Sequence, residues 1–301
     1  MSALTFSTIA GARRDDDLGF DAFAHAFGRV IAAHHLQADG EADDAPWIER
    51  AARALMFAEA QGHARLPLNE LAAFAVSPND GGGDEQWVAR LSRSPVVGMA
   101  HGAWTERPLV LDAHAHLALA RYHAYEHAIA ARWRVRCGPA PLASADRLRA
   151  ALDRWFASSR AHGGDNERDW QRIAAGVALT RGACVLCGGP GTGKTTTIAR
   201  LLLAALSVVP DLSIALAAPT GKAAARMSDA VRMQLDALAP DADVRARLSI
   251  EARTVHALLG LDPQGGRPRH HAGRPLPARL VVIDEASMLG LALARRLFDA
   301  L

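Results

Sequence analysis

Residues 188–195 read Gly-Gly-Pro-Gly-Thr-Gly-Lys-Thr, and no other stretch of this chain restricts its fold so severely. The spacing is G-x-x-x-x-G-K-[ST]. Upstream lies a short apolar run, Ala183 to Cys187. Downstream, Ile198, Leu201, Leu202 and Ala205 recur at helical spacing. A buried parallel strand, a glycine-rich bend and a helix are therefore expected in that order. In this context the glycines let backbone N–H groups turn inward around phosphates, and the helix start adds its positive dipole end. The expected ATP-contacting residues are Gly188, Gly189, Pro190, Gly191, Thr192, Gly193, Lys194, Thr195 and Thr196. Lys194 is placed at the β- and γ-phosphates and the Thr195 hydroxyl on Mg²⁺.

Such a site also needs an acidic element for the metal. Leu280 to Ile283 is an apolar run that ends in Asp284 and Glu285, about 90 residues after the glycine bend. Asp284 is expected to hold Mg²⁺ through its water shell, and Glu285 to polarise the attacking water. Lys194, Asp284 and Glu285 are thus the candidate catalytic groups. Gln171, shortly before the first strand, is placed at the adenine edge, although a lone glutamine is more often a solvated surface residue.

Around these motifs the chain alternates helix and strand. Ser213 to Ala217 and Leu280 to Ile283 read as strands. Met227, Val231, Leu235 and Leu238 mark the inner face of an intervening helix. The expected fold is α/β, a P-loop NTPase with a parallel sheet covered on both faces. The earlier part reads differently. Phe23, Phe27, Val30 and Ile31, then Ile48, Ala52, Leu55 and Met56, mark two helices, Pro108 to Leu111 a short strand, and Ala120 to Trp133 another helix. Ser77 to Glu85 reads as a loop, and Gly138 to Ser144 and Arg160 to Glu167 as breaks. The expected domains are a small, mainly helical unit over 1–110, a helical connection over 111–165 and the nucleotide domain over 166–301, with an excursion at 261–279.

Charge narrows the partners. The chain has 34 Lys+Arg against 32 Asp+Glu, and the positive excess lies after residue 165. The second half is therefore the part that attracts a polyanion. Only Lys194 and Lys222 among the basic residues are lysines, and both sit in phosphate-handling strings. No apolar run reaches the roughly 20 residues a bilayer needs. No charged-then-apolar leader opens the chain, so a cytoplasmic protein is expected. Three cysteines cannot build a disulfide framework.

Several strings together resemble one family. Ala218-Pro219-Thr220-Gly221-Lys222-Ala223-Ala224-Ala225-Arg226 is similar to the motif of superfamily 1 helicases that touches the single-strand backbone. Thr254-Val255-His256-Ala257-Leu258-Leu259-Gly260 resembles another DNA-contacting motif of theirs, and Asp284-Glu285-Ala286-Ser287-Met288 their acidic motif. With the glycine bend, these resemble the exodeoxyribonuclease V alpha helicases, the RecD type. The physical reading agrees: Thr220 can cap a helix whose first turn presents Lys222, with Arg226 one turn on, so that successive phosphates are tracked without reading bases. Pro219, Thr220, Lys222, Arg226, Thr254 and His256 are the expected DNA-binding residues. The stretch from Gly265 to Arg279 is either a DNA-touching hairpin or a solvent loop.

The resemblance implies a RecA-like motor domain in an ATP-driven 5′→3′ DNA translocase. It also implies other subunits of a RecBCD-type complex as partners, docked through residues 1–110, and no membrane. The family's later motifs, including a second RecA-like domain, are absent from these 301 residues. The motor core is therefore expected to be incomplete, binding nucleotide weakly and not unwinding DNA by itself. The competing function is an ATP-gated interaction module without translocation. Two metal-like patterns are read as bland. Cys184 and Cys187 are taken as a buried structural pair, and His123 with His127 (H-x-x-E-H) as ordinary helix residues without a third ligand.

Overall fold

The computed structural model describes residues 17–74, 84–100, 106–156, 169–189, 191–247, 251–262 and 267–301. Pro190, the break Arg160 to Glu167 and most of the loop Ser77 to Glu85 lie outside the described residues, as does Gly265. The chain divides into two compact units, Met1–Ala128 and Ile129–Leu301.

In the first unit, α1 (Asp17–Gln37) and α2 (Ala45–Ala60) are the two helices that the apolar spacing predicts, and they pack against each other. Their close approach centres on Gly28, where an added Cβ would lie 2.7 Å from the Glu49 carbonyl oxygen. Ala24, Ile31 and His35 continue the same buried stripe. That contact sets the rotation of α1 and corrects one expectation. Phe23 and Val30 are off the stripe, 57% and 53% exposed.

The unit is also less helical than expected. Strands β1 (Arg65–Pro67), β2 (Val97–Met99), β3 (Leu109–Leu111) and β4 (His116–Leu119) form one sheet in the order β1-β4-β3-β2. All pairs are antiparallel except β2 with β3. Helix α3 (Asp84–Arg93) precedes β2. Residue 110, near which a domain boundary was expected, is the middle of β3, paired with Gly98 and Ala118. Only three or four residues long, such strands have too little alternation to stand out in the sequence.

Two polar knots tie this unit. Asp44 is fully buried and accepts hydrogen bonds from Arg93 Nε (2.5 Å) and from Arg90 and Arg93 guanidinium groups. The Arg93 bond holds the Asp44 carboxyl below its ordinary range, against the opposing effect of burial. Buried His35 contacts Ser94 Oγ through Nδ1 (2.8 Å) and the Glu41 carbonyl through Nε2 (2.9 Å). Helix α4 (Ala120–Arg136) follows, as its spacing predicts.

The second unit is α/β. Helices α5 (Ala145–Phe156), α6 (Trp170–Thr180) and α7 (Lys194–Val208) lead into β5 (Ile214–Ala218) and α8 (Gly221–Leu238). Then follow α9 (Ala242–Arg247), β6 (Arg253–Thr254), α10 (Val255–Leu259), β7 (Leu280–Ile283) and α11 (Leu291–Ala300). The sheet order is β6-β5-β7, with both pairs parallel. Its side chains alternate between two cores, as the period of 2 requires. Leu216, Ile214, Leu280 and Val282 join the cluster of α5–α8, while Ala217, Val281 and Ile283 join that of α10 and α11. Both faces are covered, as expected of a parallel sheet.

The expected strand at 183–187 does not form. Residues 183–189 carry no regular structure, and Cys184, Val185 and Cys187 are exposed. The chain just before is held elsewhere. The Ala140 and Leu142 N–H groups donate to the Thr180 and Leu179 carbonyls, and Pro139 bridges Arg181 antiparallel. An apolar run becomes a strand only by finding an edge. Among the described residues β7 pairs with β5 alone, and 183–187 pairs with neither.

Candidate functional site

The glycine bend ends where α7 starts. Gly191 and Gly193 have φ of +75° and +78°, a region that costs other residues dearly, and Gly193 is the N-cap of α7. An added Cβ at Gly188 would lie 2.6 Å from Thr192 Oγ1, and one at Gly193 2.4 Å from Gln171 Nε2. At Gly191 it would meet nothing within 4 Å. The bend is therefore close-packed underneath and open above. The Lys194 ammonium folds across it, donating to the carbonyls of Gly188 (2.6 Å) and Gly189 (2.8 Å). The Thr192 hydroxyl donates to the Gly189 carbonyl at 2.9 Å. Helix α7 is anchored by Ala199, Leu202, Leu203 and Ala205, all fully buried, so the loop rests on a rigid element.

Gln171 sits in the first turn of α6, and its amide Nε2 donates to the Thr192 carbonyl at 3.2 Å. It touches the loop itself. The helix is started by Asp169, whose carboxylate accepts the Arg172 N–H at 3.0 Å.

The other motifs meet at one sheet edge because the strands are parallel. In register, Ala218 lies beside Thr254, and Ala217 beside both Arg253 and Ile283. Thr220, Thr254 and Asp284 thus emerge together at the carboxyl ends of β5, β6 and β7, the edge where open α/β sheets bind ligands. Thr220 caps α8 by accepting the Ala223 N–H (3.2 Å), and Thr254 caps α10 by accepting the Ala257 N–H (3.1 Å). Pro219 is half-buried, while Lys222, Arg226 and His256 are exposed. The Asp284 N–H donates to the Ala217 carbonyl (2.9 Å), and its own carboxylate accepts the Glu285 N–H (2.9 Å). Glu285 follows at φ +50°, a left-handed turn that leaves its carboxylate exposed.

Within the excursion before β7, the described residues 267–279 are partly anchored. His271 and Arg274 form an antiparallel bridge. Arg269 and His270 donate to the Gly260 and Leu259 carbonyls, and Leu276 is buried.

Among the described residues no group of three or more His, Cys, Asp or Glu is placed to hold a metal ion. Glu126, the acid of H-x-x-E-H, is ion-paired with Arg65 (Nε 2.6 Å). Cys184 and Cys187 are exposed rather than buried, because the strand that was to bury them is missing. Partial desolvation, with Cys137 and Cys187 alongside, pushes the Cys184 thiol up. Sequence reasoning missed Ser228 and Gln234 on α8, which hydrogen-bond to motif segments; nothing in their spacing marks them.

A loop of this form at the start of a helix, in a unit with a parallel sheet, fits a P-loop NTPase domain. Residues 171–301 match the AAA domain family. The chain is also similar to the RecBCD enzyme subunit RecD of Mycolicibacterium smegmatis, 52% identical over 137 residues, 43% of this chain and 24% of that protein. It is 34% identical to the RecD subunit of Haemophilus influenzae over 163 residues, 52% of this chain and 25% of that one. The ATP-dependent RecD2 DNA helicase of Deinococcus radiodurans is 38% identical over 153 residues, 50% of this chain and 18% of that protein. The chain spans about a quarter of the length of the RecD relatives it matches.

Proposed function

We propose that this chain supplies the nucleotide-binding domain of an ATP-dependent 5′→3′ DNA helicase or translocase. In this reading it serves as a RecD-type subunit of a cytoplasmic RecBCD-type helicase–nuclease in double-strand break repair and recombination. The first unit, Met1–Ala128, docks the other subunits, and the second, Ile129–Leu301, carries the nucleotide site. The observation that carries the reading is the shared edge. The carboxyl ends of three parallel strands present Thr220, Thr254 and Asp284 in the same unit as the bend Gly188–Thr195.

The residues fit ATP and Mg²⁺. Space is open at Gly191, the helix N-cap Gly193 is left-handed, and the Thr195 hydroxyl and the Asp284 carboxylate are hard oxygen donors of the kind that Mg²⁺ would take. Gly188, Gly189, Pro190, Gly191, Thr192, Gly193 and Thr196 surround the phosphates, and Gln171 meets the adenine edge while bracing the loop. Bound Mg²⁺ supplies charge neutralisation at the phosphates. Lys194 leaves its loop carbonyls to hold the β- and γ-phosphates, and Glu285 orients the attacking water and takes its proton. Pro219, Thr220, Lys222, Arg226, Thr254 and His256 hold the single strand by its phosphates.

The test is ATP hydrolysis by the full-length protein with and without single-stranded DNA. Stimulation by DNA supports the motor. Absent stimulation, together with nucleotide-dependent capture of partner subunits, instead supports an ATP-gated interaction module.

A further inference from the structure

Helix α8 makes specific hydrogen bonds at three levels along its 18 residues. At its start, Thr220 Oγ1 accepts the Ala223 N–H at 3.2 Å. Two turns on, the buried Ser228 hydroxyl donates to the Ala224 carbonyl (3.0 Å) and accepts the N–H of Ala252 (2.9 Å), the residue just before β6. Near its end, Gln234 Oε1 accepts a hydrogen bond from Thr196 Oγ1 at 2.9 Å. Thr196 is the third residue of α7, directly after Thr195 of the glycine bend. The first two contacts govern the two strings assigned to DNA; the third reaches the string assigned to nucleotide.

Between these points α8 is a stiff body. Ala224, Met227, Ser228, Val231 and Leu235 are buried along one seam, with Met227, Val231 and Leu235 in the same core as α7. At 1.5 Å per residue, Gln234 lies about 20 Å along the axis from Thr220. Packed helices respond to a pull at one end by shifting as bodies of about 1–2 Å, because close-packed cores do not deform smoothly. A displacement of the first turn of α7 is thus delivered to the Thr220 cap and to β6 together.

We infer that α8 couples the nucleotide loop to the DNA-contacting edge, with Gln234 as the positioning residue that takes up the movement of Thr196. The inference rests on the function proposed above. Gln234 touches neither ligand; it acts through Thr196, and Ser228 hands the movement to β6. Coupling of this kind is reciprocal, so nucleotide changes the affinity for DNA by the same factor as DNA changes that for nucleotide.

The experiment is a binding cycle on the 301-residue chain. A labelled oligothymidine strand is titrated with and without a saturating non-hydrolysable ATP analogue and Mg²⁺, and the analogue is titrated alone. The wild-type chain is expected to bind both, with the analogue changing the DNA Kd by about fivefold or more. In Gln234→Leu that factor should fall to less than about twofold while each ligand alone binds within about twofold of wild type. Gln234→Glu keeps an acceptor oxygen for the Thr196 hydroxyl and should retain the coupling. Gln234→Ala removes the same acceptor with a smaller side chain, which keeps the test open if Gln234→Leu is poorly folded. Full coupling in Gln234→Leu or Gln234→Ala overturns the link while leaving the proposed function standing. A wild-type chain that binds neither ligand overturns the function, and the link with it.

Discussion

The two units handle their polar groups in opposite ways. In Met1–Ala128 the inner strand β3 is buried along its whole length, and the buried polar groups are paired, Asp44 with Arg90 and Arg93 and His35 with Ser94. In Ile129–Leu301 every residue of β7 is only half-buried, the run 183–189 pairs with no strand, and the motif side chains stand at the surface. One unit is closed around its charges, whereas the other holds its charges at an edge. Interior ion pairs specify a packed scaffold, while half-exposed groups on rigid strand and helix ends are placed to meet a ligand.

The sharpest way to break the contrast is at Lys194. In the full-length protein, Lys194→Ala should lower ATP hydrolysis by about a thousandfold while leaving the melting of both units in place. Retained hydrolysis would mean that the bend has another role. Next in size is Asp44→Ala, which removes the acceptor of three hydrogen bonds from Arg90 and Arg93 and should lower the denaturant midpoint of the first unit, with nucleotide affinity unaltered.

Acid probes the same knot. The folded Asp44 carboxyl lies below its ordinary range through Arg93. Asp112 does too, where burial is outweighed by hydrogen bonds from the His116 and His114 N–H groups. Their stabilisation is therefore complete above about pH 4 and is lost as pH falls through the folded values. The first unit should unfold at low pH, and Asp44→Ala should flatten that dependence. The smallest effect is expected at exposed Lys222. There Lys222→Ala should weaken single-strand binding alike for all sequences and reduce the salt slope by about one phosphate contact. An unchanged slope removes Lys222 from the DNA path.

Sequence reading succeeded where the signal is local. The bend Gly188–Thr195 declares its own backbone, since left-handed turns at Gly191 and Gly193 need glycine whatever surrounds them. The cap Thr220, the inner faces of α7 and α8 and the apolar run of β7 were legible for the same reason, whereas the cap at Thr254 emerged only with the fold. Reading failed where an element depends on a distant partner. Ala183–Cys187 has a strand's composition but no strand pairing, and β1, β2 and β4 are too short to announce themselves. Phe23 and Val30 carry the right spacing for a core, yet the helix contact at Gly28 turns them outward.

By itself, then, the amino-acid order determined the chemistry available to this protein: a phosphate-cradling bend, a carboxylate pair behind an apolar run, and a capped helix start with a cation in its first turn. Only the tertiary structure decided which of these stand together, placing Thr220, Thr254 and Asp284 on one edge and hanging Gln234 on Thr196. The reason is physical. Turn and cap preferences are settled within a few residues of backbone, whereas strand pairing and helix rotation are settled by surfaces that meet from far along the chain.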